Sequence, residues 1–180
     1  MNYGVLKEFK KVSDVPQELI TEYEGKIPQD IISLWKEYGF GSFFNDYFRV
    51  INPHEYEDIV RDSYFDGENA IPLMVTAFGD IIIYDGTIND LVNLLYRYQD
   101  LEVLGSYFFM DLSSQMYLKN NIKNKQYEKA LQKYDPLEVD ECYGYVPLLG
   151  LGGKESIGNI QKVNTREHIE LITQMVGRIE

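Results

Sequence analysis

One cysteine and two histidines among 180 residues remove several kinds of chemistry at once. A lone Cys142 rules out an internal disulfide and a zinc site built from the chain's own thiolates, and it suits a reducing compartment. With His54 and His168 as the only imidazoles, a Cys–His nucleophilic pair has just two possible forms. Asp140 and Glu141, beside Cys142, oppose the thiolate that either form needs, so a buried structural thiol is expected. Each histidine sits next to a glutamate within a predicted helix. Surface or capping roles are expected for both, because a metal site needs several convergent ligands. The expectation is therefore of no catalytic residue, no metal and no cofactor.

Long apolar runs are missing too. None approaches the roughly 20 residues that span a bilayer, and the start MNYGVLKEFKK lacks the apolar stretch of a signal peptide. A cytoplasmic protein without membrane contact is expected. Bases are also scarce: 17 Lys and Arg against 29 Asp and Glu give a net charge of −12. A nucleic-acid binder gains affinity by displacing counterions with cations, so this field argues against direct nucleic-acid binding; it attracts a basic protein partner or serves solubility alone. With 44% hydrophobic and 26% charged residues, the composition is that of a globular chain, and no repeat or linker divides it.

Glycine concentrates in DECYGYVPLLGLGG, residues 140–153, followed by Lys154. A phosphate loop needs glycine, four residues, glycine, lysine and then a hydroxyl; here Glu155, a charge that repels phosphate, follows the lysine. The dinucleotide-binding pattern of glycines at first, third and sixth positions fails as well.

Local signals place the elements. In SDVPQELITEYEG, Ser13 or Asp14 as cap, Pro16 in the first turn and Gly25 at the end predict a helix with Val15, Leu19 and Tyr23 on one face. IPQDIISLWKEYG predicts a second helix, whose stripe of Ile31, Leu34, Trp35 and Tyr38 makes Trp35 a core anchor. YFRVI reads as a strand, and NPHEYEDIV as a helix with Asn52 as cap, Pro53 first and Glu55 closing a capping box. IPLMVTAFGDIIIYDG holds two β-rich runs joined at Gly79 and Asp80, predicted as a two-residue turn at the centre of a sheet. LVNLLYRYQDLEVLG suits a helix by its leucine spacing and a hairpin by its flanking turn residues; strands are preferred. From Ser106 to Tyr134 the pattern is helical in short pieces, ended by Pro136. NIQKVN suits a strand. NTREHIELITQMVG predicts a last helix capped by Asn164, with Ile169, Ile172, Met175 and Val176 inward. The order predicts an α+β fold, a central antiparallel sheet packed by N-terminal and C-terminal helices in one unit with two lobes.

Carboxylates are the surplus. Residues 55–68 carry Glu55, Glu57, Asp58, Asp62, Asp66 and Glu68 against Arg61 alone, and a second group holds Asp135, Glu138, Asp140 and Glu141. Spacing neither supports nor excludes a glycosidase-like acid and base among them. The first group reads as a solvated helix face or as a docking surface for a cationic protein. Fifteen tyrosines suit docking, since tyrosine offers contact area with little entropy to lose.

IPQDIISLWKEYGFG, INPHEYEDIV and TAFGDIIIYDG resemble the GAD-like domain, while DECYGYVPLLGLGG with NIQKVNTREHI resembles the C-terminal domain of type VI secretion DNase-immunity proteins. The early part is also similar to the broader SUKH group of immunity proteins. The resemblance implies a GAD-like α+β domain over residues 1–104 and an immunity-type C-terminal domain over 105–180, packed together. It implies an antitoxin that binds and inhibits a cognate basic nuclease toxin without turnover. Pro147 and the glycines then become scaffold that shapes a turn and a close approach to the sheet. The resemblance assigns no contact residues; charge and clustering nominate Glu55, Glu57, Asp58, Asp62, Asp66, Glu68, Asp140, Glu141 and Tyr143 as partner-binding. The alternative is a non-catalytic regulatory module for another protein or a small ligand.

Overall fold

The computed structural model describes residues 4–105, 108 and 125–180. Seven strands form one meander, each antiparallel to the next in sequence: β1 (Lys10–Ser13), β2 (Phe40–Phe43), β3 (Phe48–Val50), β4 (Ala70–Thr76), β5 (Ile81–Asp85), β6 (Asp90–Leu95) and β7 (Asp100–Val103). Helices α1 (Gln17–Tyr23) and α2 (Gln29–Tyr38) fill the connection from β1 to β2, and α3 (Glu57–Ser63) that from β3 to β4. After α4 (Lys125–Lys133), β8 (Glu141–Tyr145) and β9 (Ile160–Asn164) pair as a separate two-stranded sheet, followed by α5 (Thr165–Val176). The predicted α+β class, with its central antiparallel sheet, is what the chain adopts.

The apolar runs in β4 and β5 are continuous because the sheet is covered on both faces. Ile82 belongs to a core shared with Leu19, Trp35, Phe43, Tyr127, Tyr143 and Ile160, so α1, α2, α4 and the β8–β9 hairpin lie on that side. Its neighbours Ile81 and Ile83 turn the other way, into a core with Ile59, Val60, Ile169 and Ile172 from α3 and α5. Pro72, which has no N–H for the ladder, sits where the β4–β5 register shifts. Trp35 is 1% exposed and meets Tyr23 edge-on at 5.7 Å, the core anchor its spacing predicts.

Several expectations change in detail. Pro16, rather than Ser13 or Asp14, occupies the cap of α1, because the chain up to Ser13 is committed to β1. The Asn52 side chain caps a short 3-10 turn, Pro53–Glu55, by accepting from the His54 amide, and α3 starts afresh at Glu57. The central hairpin turns over four residues, 77–80, with only Gly79 of the predicted pair at positive φ (76°) and Asp80 buried instead of at the tip. Residues Leu91 to Val103 form the preferred hairpin, β6–β7, with Gln99 left-handed at its bend. Of the predicted helical run from Ser106 to Tyr134, residues 106–107 and 109–124 lie outside the described residues; α4 covers Lys125–Lys133. Met175 is exposed, not inward: Val176 packs against Gly150, and Ile179 takes the remaining place beside Tyr64.

Candidate functional site

Two regions concentrate charge, one buried and one on the surface. The buried one lies where the β4–β5 turn meets β8. The Tyr143 amide donates to the Ala77 carbonyl at 2.8 Å, stitching the small sheet to that turn. Gly79 is obligatory there, since its φ is left-handed and a Cβ would sit 2.9 Å from the Cys142 sulfur. Asp80 is fully buried, and Arg97, from the 3-10 turn Tyr96–Tyr98, brings Nη1 to 3.0 Å of its Oδ2 as an ion pair. The same guanidinium lies over the Phe78 ring at 4.5 Å. Burial pushes the Asp80 carboxyl up to about 6, against the pull of Arg97 and of backbone donors. Next to this pair, Arg49 donates to the carbonyls of Glu138 and Val139 at 2.8 and 2.6 Å and to Thr165 Oγ1 at 3.4 Å. Arg49 thus holds the segment before β8 and the start of α5 against β3, while Arg97 ties the β4–β5 turn to the β6–β7 bend of the same sheet.

Burial also settles the nucleophile. The Cys142 thiol is 0% exposed and pushed up to about 12, so it stays protonated and unreactive, as expected. His168, expected at the surface, is instead 6% exposed: the bare backbone of Gly144 lets the ring lie where a Cβ would approach it to 2.7 Å. Desolvation lowers its pKa. Tyr143, expected among the exposed partner-binding residues, is 1% exposed and packs on Phe78, Tyr127 and Tyr134, because both faces of β8 are covered from Cys142 to Tyr145. Gly152 takes a left-handed turn (φ 86°), and a Cβ on Gly153 would meet the Pro147 carbonyl at 2.1 Å, consistent with the glycine-rich stretch as scaffold.

The surface acids fall into three groups. Glu55, Asp58 and Asp62 are exposed on and just before α3. Arg166 of α5 donates to Asp58 twice, at 2.8 and 3.1 Å, and to the Glu55 carbonyl, while standing 3.8 Å from Glu170. Its hydrogen bonds hold the Asp58 carboxyl below its ordinary range. Asp62 lies 3.5 Å from Arg61, and the half-buried Glu57 accepts from the Tyr23 hydroxyl, which leaves it oriented toward α1. Asp66 and Glu68 lie beyond α3, where Asp66 accepts from the Asn69 amide at 2.7 Å. Asp140 and Glu141 form the third group at the start of β8; Asn164 donates to Asp140 at 3.1 Å, and Lys162 pairs with Glu141 at 2.6 Å. Sequence reasoning missed Arg166 and Glu170, 108 or more residues from Asp58, and the Asp80–Arg97 pair. For the pair, a single arginine within the apolar β6–β7 hairpin was the available signal.

Among the described residues no three His, Cys, Asp or Glu side chains gather as metal ligands, and no helix is long and apolar enough to cross a membrane. An open cavity of about 340 Å³ lies between the α1–α2 connection and the β5–β6 turn, lined by Lys26, Ile31, Tyr84, Asn89 and Leu91 among others.

These features define an α+β scaffold with one buried ion pair and most of its charge at the surface. Residues 3–97 match the GAD-like domain family, more than half of the chain, and the chain belongs to that family. Residues 96–176 match the family described as T6SS immunity protein Tdi1, C-terminal, in the order that the sequence implies. Among curated proteins no sequence matches this chain. The crystal structure of Atu4351 from Agrobacterium tumefaciens is similar, with a TM-score of 0.74 at 17% identity over 94% of this chain and 87% of that one, which shows the shared fold.

Proposed function

We propose that this chain is an immunity protein of a type VI secretion system that binds a cognate nuclease toxin and holds it inactive by occupying its substrate-binding face. The observation that carries this reading is the immunity-family match over residues 96–176 directly after a GAD-like domain. Charge supports it. A nuclease must present cations to a polyanion, so an inhibitor with a net charge of −12 is drawn to the same surface and competes with phosphate there. Inhibition of this kind needs a rigid surface and no turnover, which suits a protein whose one thiol is buried and protonated. The nuclease activity and basic character of the partner are part of this proposal, as is a cytoplasmic place of action.

The test is capture of the tagged, full chain's partner from the native cell, followed by plasmid cleavage by the purified partner. The reading expects a basic nuclease whose cleavage stops when this chain is added at an equimolar ratio. A captured partner without nuclease activity, or cleavage unchanged by the chain, overturns it.

A further inference from the structure

We propose that one internal water molecule joins the main sheet to α5, held between Arg97, Tyr145 and His168 at the place where the two family matches meet. A small cavity of about 10 Å³ lies there, between the 3-10 turn Tyr96–Tyr98, the end of β8 and α5. That volume is about the least that admits a water molecule, and it excludes a larger ligand. Leu148 and Ile172 give the cavity an apolar wall, while Arg97, Gln99, Tyr145 and His168 bring polar groups to it. Residues 96 and 97 belong to both family matches, so the cavity marks the junction of the two matched segments.

Hydrogen bonding selects the occupant. The Phe78 and Tyr98 rings meet the Arg97 guanidinium at 4.5 and 4.9 Å, but neither gives its Nε a hydrogen-bond acceptor. Arg97 Nε and the Tyr145 hydroxyl are buried without a hydrogen-bond partner among the described residues. A buried donor left in that state is costly, and an ordered water is the usual remedy. The Gln99 amide is turned instead to the Tyr96 carbonyl, at 3.3 Å. His168, 6% exposed and held neutral by desolvation, keeps one ring nitrogen as an acceptor. A water molecule suits this mixture: it accepts from Arg97 and donates to His168, and the Tyr145 hydroxyl can do either. An anion does not suit it. Asp80 already lies 3.0 Å from Arg97 Nη1, and the lone pair of a neutral imidazole opposes a second negative charge.

The test is a high-resolution crystal structure of the full chain, with matching crystals soaked in bromide or pressurised with xenon. One peak of density is expected in the cavity, within about 3.2 Å of a His168 ring nitrogen and of Arg97 Nε or the Tyr145 hydroxyl, with no anomalous signal from either heavy element. A bromide signal there shows an anion site and overturns the inference. A xenon signal shows a dry, apolar cavity and overturns it as well. So does a cavity without density, or one closed by repacked side chains. In solution, the bound water is expected to give rotating-frame cross-peaks to the carbon-bound ring protons of His168, and their absence contradicts it. Both measurements use the parent chain, so no variant has to fold. Neither involves a partner protein, and the immunity reading stands or falls separately.

Discussion

Arg97 and Asp80 show why buried charge holds this fold together only as a pair. Asp80 has no exposed surface, and removing its partner leaves an uncompensated carboxylate inside the protein. Arg97→Met is expected to cost about 3–5 kcal/mol in urea unfolding, and the double variant with Asp80→Asn to recover part of that loss. A single variant as stable as the parent contradicts this. His168 behaves differently, because burial lowers its pKa below the ordinary value of about 6.5. The unfolded chain then takes up that proton more readily than the folded one, so stability present above about pH 6.5 is lost as the pH falls below it. Asp80, raised to about 6, acts in the opposite sense at lower pH and is common to parent and variant. Between about pH 7.5 and 5.5 the parent is therefore expected to lose more stability than His168→Gln, measured by melting. Identical pH slopes contradict the burial of a neutral imidazole.

At the scale of elements, α5 depends on the residue that caps it. The Asn164 side chain accepts from the Glu167 amide at 3.1 Å and donates to Asp140 at 3.1 Å, joining helix cap to sheet entry. Asn164→Ala is expected to cost about 1 kcal/mol in chemical denaturation, and a cost near zero contradicts the cap. That cap was legible in the sequence because capping is local, a side chain bonding three residues ahead. The stripe of α2 and the β-rich runs of β4 and β5 were legible for the same reason: periodicity reports which side is buried. What escaped was set by distant segments. His168 is buried because Gly144, on another element, leaves room for it, and Met175 faces out because Val176 and Ile179 fill the inner place. Tyr143 looked like a contact residue beside two acids, yet Phe78, Tyr127 and Tyr134, from distant segments, cover it. Of the acidic cluster, the charges were readable; their gathering around Arg166 depended on the packing of α3 against α5.

For the whole molecule, both faces of the meander are covered, so its interior leaves the chain's net charge of −12 to be carried at the surface. Long-range attraction acts before contact and is screened by salt, whereas apolar packing acts after contact and is nearly indifferent to it. The account therefore makes electrostatics the determinant of how fast the partner is found. The most direct measurement is the association rate of the parent chain with its purified nuclease as ionic strength rises from about 50 to 300 mM. It is predicted to fall at least about ten-fold while the dissociation rate changes little. An association rate that stays constant or increases over that range would contradict capture of a cationic toxin by an acidic protein.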